Sequence, residues 1–261
     1  NVGDLTHDIR QANLPEKSIG YKTGDFVANH FAETKSALRP VLYLANMAHN
    51  MLGDKVMSSI GQGLHQIGVP LWTPSMPKPY YPHRIQQHEE SLKVVYFPSC
   101  INQTMGTAKD SPDQTPLIDK TVALLQKAGY EVIFPENMKN LCCGTIWESK
   151  GMMDIADRKS AELEAASNGG KYPVLCDQSP CLHRMREVMT QVKLYEPVEF
   201  IYTFLKDKLV FSPIDEPIAV HITCSMRKMN LGNMLVDLAR LCSTKVIVPE
   251  EVGCCGFAGD R

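Results

Sequence analysis

Features that would place a protein across a membrane, on nucleic acid or outside the cell are missing from this sequence. No apolar stretch reaches the roughly 18 residues that a spanning helix needs. No charged segment leads into a short apolar run, as an export signal would. Lys and Arg (27) are balanced by Asp and Glu (29), the net charge is −2, and there is no basic run, so the electrostatic footprint of a nucleic-acid binder is missing. No strand is followed by G-x-G-x-x-G, the fingerprint of a dinucleotide site, and no flavin site is identifiable. The expectation is a cytoplasmic chain with no transmembrane segment and no nucleic-acid partner. Because the first residue is Asn1 and not Met, the chain is also expected to be processed or cut from something longer.

What is present is the composition of a soluble globular protein, with 44% hydrophobic and 21% charged residues. A chain of 261 residues can hold one large domain or two ordinary ones. It carries nine cysteines. Without an export signal these imply a reducing compartment, where sulfur serves metals or redox work.

Residues 1–91 read as a helical N-terminal segment. "GDFVANHFAETKSALRPVLYLANMAHNML" has apolar residues at helical spacing, broken by Pro40, and "DKVMSSIGQGLHQIG" reads as another helix. The methionines here are read as core filler. Five prolines between residues 70 and 82 make a rigid extended connector. From residue 92 strands alternate with helices: "LKVVYF", "TPLIDKTVALLQKAG", "YEVIF", the helix running from Trp147 to Gly170, "YPVLC", a short helix opened by Cys181, "VKLYEP" and "VEFIYTFLKDKL". That alternation argues an α/β unit with a mostly parallel sheet over residues 92–212. The pattern then restarts over residues 213–261. "IAVHIT" delivers Cys224 as "LKVVYFPS" delivers Cys100, "LGNMLVDLARL" is the helix, and "KVIVPEEVGCCG" answers "EVIFPENMKNLCCG". This is an internal duplication whose second copy is incomplete.

The duplicated Cys-Cys-Gly triplets, Cys142-Cys143-Gly144 and Cys254-Cys255-Gly256, ask for a use of sulfur other than a disulfide. Adjacent Cα atoms across a trans peptide sit about 3.8 Å apart, closer than an ordinary disulfide spans. The cysteines fall at the carboxyl ends of predicted parallel strands, whose loops converge on one crevice. The first copy would thereby bring together Cys100, Cys142, Cys143, Cys176 and Cys181; the second offers Cys224, Cys254 and Cys255. Soft thiolates suit zinc or an iron–sulfur group, not magnesium or calcium. Gly144 and Gly256 lack a Cβ, so backbone N–H groups can approach such a group, and the helix N-termini that follow add positive dipole. Cys242 and His221 read as core residues. Arg227 and Lys228 read equally as counter-charges or as a solvated loop.

"PSC" at 98–100, "LCCG" at 141–144, "DQSPC" at 177–181 and "GCCGFAGDR" at 253–261 resemble the cysteine-rich CCG domain family. That family includes a component of heterodisulfide reductase, iron–sulfur components of glycerol-3-phosphate and lactate-utilising enzymes, and the C-terminal parts of FAD-linked D-lactate dehydrogenases. "ESKG", "HITCSMRKM" and "VPEEVGCCGFAGDR" look most like the last group. The resemblance implies two tandem Rossmann-like repeats, the second incomplete, and a 4Fe-4S cluster held by Cys100, Cys142, Cys143, Cys176 and Cys181, with Cys224, Cys254 and Cys255 as ligands in the second copy. It implies electron transfer from a flavin domain, with its FAD, and a ferredoxin-type segment, both earlier on the same longer chain, to an electron acceptor the sequence does not name. The substrate would be a 2-hydroxy acid such as D-lactate, and the place the cytoplasm or the inner face of the membrane. One departure concerns the closing pair, which is often Cys-x-x-Cys in the family but "CDQSPC" here; Cys181 inherits the ligand role more safely than Cys176. Copy two is expected to be short of a ligand, leaving one stable cluster. Two further readings stand beside this one: a disulfide reductase with a non-cubane cluster, as in heterodisulfide reductase, and a structural zinc module that organises a docking surface.

Overall fold

The computed structural model describes residues 2–15, 18–66, 71–83, 85–86 and 89–250. Cys254, Cys255 and Gly256 lie outside the described residues. The chain divides into two compact units: Asn1–Asn29 with Gln87–Ser99 and Leu124–Arg261, and His30–Gln86 with Cys100–Ala123. This division does not follow the segments 1–91, 92–212 and 213–261, because residues 1–29 go with the sheet and residues 100–123 with the long helix.

The first unit is α/β. Residues Leu92–Phe97 form a strand of β-branched and aromatic side chains in which Val94, Val95, Tyr96 and Phe97 are buried, the continuous apolar run of a strand covered on both faces. It pairs in parallel with Tyr130–Ile133 on one side and Val174–Cys176 on the other, and Val174–Cys176 pairs in parallel with Leu194–Tyr195. Parallel neighbours need long crossovers, and the helices Leu117–Lys127, Met153–Ala166 and Ser179–Val188 supply them in chain order. In space the strands run from Tyr130–Ile133 through Leu92–Phe97 and Val174–Cys176 to Leu194–Tyr195. The direction of winding therefore reverses beside Leu92–Phe97. In open α/β sheets such a reversal opens a crevice beyond the carboxyl ends of the two central strands.

The second copy repeats the start of the first. Strand Ile214–Ala219, helix Gly232–Cys242 and strand Ser243–Ile247 form a strand–helix–strand unit with parallel pairing. The strand lies earlier than "IAVHIT" predicts and stops at Ala219. His221 is thus in the loop before the helix Cys224–Lys228, and it is exposed, a correction to its reading as a core residue on a strand. Cys242 is likewise exposed at its helix end, not buried. The helices Val2–Asn13 and Ile19–Asn29 belong to the same unit. The Trp147 indole donates to the Gly24 carbonyl at 2.9 Å, Arg158 pairs with Asp25 at 2.7 Å, and the Tyr21 hydroxyl donates to Asp154.

In the second unit a helix spans Phe31–His65. It continues through Pro40 instead of breaking there, although a helix-interior proline forfeits a backbone donor. The turns around Pro40 are held from outside: Lys35 donates to Gln103 Oε1 at 2.7 Å, and Arg39 donates to the Tyr80 and Gln103 carbonyls at 2.8 and 2.9 Å. The interruption falls at Gly53, whose φ of 72° and ψ of 174° are open only to glycine. Met57 is buried on this helix, but Met47 and Met51 are exposed, so core filling holds for only part of its methionines. The prolines after residue 70 are not all connector: Pro77–Pro79 pairs antiparallel with Met105–Ala108, short enough to tolerate missing donors. Among the described residues no helix is long and apolar enough to cross a membrane.

Glu196 gives the α/β unit a pH dependence. Its buried carboxylate caps the helix that begins at Pro197 by accepting from Val198 N. Burial, which penalises the charged form, raises its pKa to about 7 against the opposing backbone hydrogen bonds. The unfolded chain releases this proton near 4.5, so the contribution to stability is complete below that pH and is lost as the pH rises to about 7. Glu196→Gln, which keeps an acceptor and cannot ionise, should flatten the fall in urea midpoint between these pH values. An unchanged slope in the variant would show that Glu196 is not its source.

Candidate functional site

The carboxyl ends of the two central strands carry the site. Beyond Cys176, Asp177 bonds to the neighbouring strand and its exit: its Oδ1 accepts from Ser99 N at 2.8 Å and its Oδ2 from the Tyr96 hydroxyl at 2.7 Å. One carboxylate therefore ties together the loops that leave Leu92–Phe97 and Val174–Cys176. The helix Ser179–Val188 starts immediately after, with Pro180 in its first turn, where a missing N–H costs nothing. Cys181 sits in that turn, half-buried.

The Cys-Cys-Gly triplet arrives from strand Tyr130–Ile133 through a short 3-10 turn, Met138–Asn140. Asn137 before it has φ 54°, and Gly144 after the cysteines has φ 90°, so two left-handed residues bracket a sharp elbow. A Cβ at Gly144 would lie 2.4 Å from the Ala156 carbonyl oxygen and 2.9 Å from Arg184 Nε. Glycine is therefore required here by conformation and by space. The Cys143 carbonyl accepts from Ser160 Oγ at 2.8 Å and from Arg184 Nε at 3.2 Å. Cys142 and Cys143 are both buried.

Four thiols of this unit form a hydrogen-bonded row. Cys143 is linked to Cys142 and to Cys181, and Cys181 in turn to Cys176. The Cys143 sulfur also meets Thr145 Oγ1 at 3.2 Å, and Cys176 Sγ faces the Gln178 carbonyl at 3.8 Å. Hydrogen bonds from Cys142 and then Cys181 hold the Cys143 thiol well below its ordinary range, against the opposing effect of burial. Cys181 lies well above its ordinary range because it is hydrogen-bonded to Cys143 and Cys176, with its partial burial adding to the rise. For Cys176 the bond with Cys181 acts downward, but burial and the Asp177 charge outweigh it, and the thiol ends above its ordinary value. The chemical content is a set of neighbouring thiols in which Cys143 is the most readily deprotonated. Such a soft donor set fits a thiophilic metal or metal–sulfur group and is a poor host for magnesium or calcium.

Of the residues singled out from sequence, the structure thus brings together Cys142, Cys143, Cys176 and Cys181. Cys100 directly follows Ser99 at the carboxyl end of its strand; it heads the segment assigned to the other unit, where its carbonyl accepts from Thr104 Oγ1 at 2.8 Å. Cys224 is exposed at the start of the helix Cys224–Lys228. Its N-cap Thr223 lies 3.2 Å from Ser179 Oγ, and Ser225 donates to Ser179 at 2.8 Å. The loop that opens copy two is therefore stitched to the first turn of the helix that carries Cys181. Arg227 and Lys228 are exposed. All seven described cysteines carry thiols and not disulfides. Among the described residues no three His, Cys, Asp or Glu side chains close on a single metal ion. Sequence reasoning did not single out Asp177, Ser160 or Arg184. Asp177 stood inside the quoted "DQSPC", but hydroxyl, carboxylate and guanidinium clamps of this kind leave no spacing signature.

The cysteine-rich domain family CCG matches residues 94–186 and 218–261, more than half of the chain. Lactate utilization protein A of Bacillus pumilus is 27% identical over 190 residues, covering 64% of this chain and 74% of that protein. The Bacillus licheniformis and Bacillus subtilis proteins of the same name are 27% and 25% identical over 187 residues, with the same coverage of both chains. No solved structure matches.

Gly144→Ala should test the elbow. Gly129 also has a positive φ (79°) but no atom within 4 Å of a built Cβ, so Gly129→Ala should cost only about 1 kcal/mol of unfolding free energy for its backbone conformation. Gly144→Ala adds the contacts with Ala156 and Arg184 and should cost at least about 3 kcal/mol. Equal losses in denaturant melts would mean that the elbow is not closely packed.

Proposed function

Because the chain belongs to the cysteine-rich CCG domain family, we propose that it is an iron–sulfur electron-transfer module of an oxidoreductase that uses a 2-hydroxy acid such as D-lactate. The observation that carries this reading is the row of four thiols at the point where the sheet reverses its winding. The relatives named Lactate utilization protein A support the substrate class. Zinc would need thiols gathered tetrahedrally around one point, commonly from C-x2–4-C pairs, and an adjacent Cys-Cys pair suits that poorly.

In this reading Cys142, Cys143 and Cys181 are the firm ligands, with Cys100 and Cys176 completing the first set and Cys224, Cys254 and Cys255 belonging to a second. When bound, a 4Fe-4S cluster supplies one-electron storage at a potential tuned by burial and by hydrogen bonds to its sulfurs. The protein's own part is to present deprotonated sulfur, to exclude water and to aim donors. Thr145 Oγ1 and the Thr145 N–H stand beside the Cys143 sulfur, and the buried strand ends keep bulk solvent from the row. Oxidation of a 2-hydroxy acid to the 2-oxo acid releases two electrons and two protons, taken in this account by the FAD of a flavin domain on the same longer chain. That domain and a ferredoxin-type segment are the proposed intramolecular partners, and an external electron acceptor completes the path.

Purified and reconstituted anaerobically with iron and sulfide, the chain should be brown and hold iron and acid-labile sulfide in about equal amounts. Cys142→Ser and Cys181→Ser should each lose most of both. Cys176→Ala should lose as much iron as Cys181→Ala; wild-type iron in that variant would remove Cys176 from the ligand set. A colourless wild-type chain with one zinc per site would contradict the proposal.

A further inference from the structure

We infer that Arg184 is a positioning residue for the Cys-Cys-Gly elbow, holding the Cys143 thiol in line with Cys181. The inference rests on the iron–sulfur reading only for what the thiols hold; the geometry stands without it.

Arg184 is 2% exposed and lies three residues after Cys181 on the same helix. Burying a guanidinium is unfavourable unless its donors are met, and here three directions of the fork are met by three different segments. Nε donates to the Cys143 carbonyl at 3.2 Å, on the elbow itself. Nη1 donates to Glu148, on the short helix that follows the elbow. Nη2 donates to Asp157 Oδ1 at 2.6 Å, on the helix Met153–Ala166. The segment that carries Cys181 is thereby connected through one planar group to the backbone of Cys143.

A counter-charge role does not explain this arrangement. Glu148 and Asp157 together outweigh the guanidinium, so the cluster of three is net negative and offers no spare positive charge to a thiolate. What the arginine supplies is direction. Its donors lie in a fixed plane, whereas a lysine would supply the same charge as a point and could not serve the three acceptors at those angles. The Cys143 carbonyl is the right place to act. Its orientation sets the plane of the peptide joining Cys143 to Gly144, where φ is 90°, and Ser160 Oγ holds the same oxygen at 2.8 Å. Gly144 completes the fit, because a Cβ there would lie 2.9 Å from Arg184 Nε.

The test uses the full chain and Arg184→Lys, with Ser160→Ala as the variant that removes the other donor to the same carbonyl. In the metal-free chain, alkylation at each cysteine is mapped by mass and referred to exposed Cys242. Arg184→Lys should raise labelling of Cys143 about tenfold relative to Cys242, the scale of one lost charged hydrogen bond. Ser160→Ala should shift it in the same direction and less. After reconstitution, Arg184→Lys should alter the electron paramagnetic resonance line shape of the reduced cluster although every cysteine is intact. A lower melting temperature with an unchanged Cys143 to Cys242 ratio and an unchanged line shape would overturn the inference and leave Arg184 a fold-stabilising residue only. Should Arg184→Lys fail to fold, Ser160→Ala and Glu148→Gln take its place, and unchanged ratios in both would overturn it equally. Wild-type chain that takes up no iron would defeat the iron–sulfur reading and leave the alkylation ratio to decide the role of Arg184.

Discussion

The parallel hydrogen-bond ladder between Leu92–Phe97 and Val174–Cys176 is the constraint on which the site depends. Parallel pairing sends both chains out at the same edge, and the reversal of winding beside Leu92–Phe97 keeps either crossover helix from filling the space between them. Val95 N donates to the Pro173 carbonyl at 2.9 Å, and the register continues through Phe97 opposite Cys176. A slip of one residue would turn Cys176 to the other face of the sheet. Asp177 then fixes both exits by accepting from Ser99 and Tyr96. The cysteine loops are thus delivered by the part of the unit that is buried most completely, which is how a loop site gains rigidity from its scaffold.

On that scaffold the electrostatics follow from proximity. Hydrogen bonds from Cys142 and Cys181 lower the Cys143 thiol, while Cys181 and Cys176 are held above their ordinary range. A thiophilic group entering the crevice would bind these sulfurs as thiolates and displace their protons, which couples its binding to pH. The backbone around Cys143 is correspondingly over-determined, with Ser160 and Arg184 on its carbonyl and a glycine at φ 90° where a Cβ would meet Ala156 and Arg184.

Much of this was legible in the sequence because it is periodic. The apolar run "LKVVYF" and the alternation of strands with amphipathic helices predict the parallel sheet, and two copies of Cys-Cys-Gly after similar strands predict the duplication and the grouping of Cys142, Cys143 and Cys181. What stayed hidden depends on tertiary partners. Pro40 lies inside a helix whose preceding turns Lys35 and Arg39 anchor to Gln103 and Tyr80, and those partners are distant in sequence. His221 and Cys242 look apolar-facing by local pattern, but the strand of copy two ends at Ala219 and its helix end turns to solvent. Arg184 sits in "CLHRMREV", where a cation on a helix reads as a solvated face; only its three acceptors, on other elements, make it a buried one. The division of the chain, with residues 100–123 in the unit of the long helix, likewise follows from contacts that no local pattern encodes.

The central claim is that the thiol row holds a metal–sulfur object and not a single ion. Iron X-ray absorption on the anaerobically reconstituted chain tests it most directly. The account predicts a sulfur shell accompanied by an iron–iron shell, both lost when Cys142 and Cys143 are replaced together by serine. Iron with a sulfur shell and no iron neighbour, or an iron–iron shell that survives the double replacement, would contradict it.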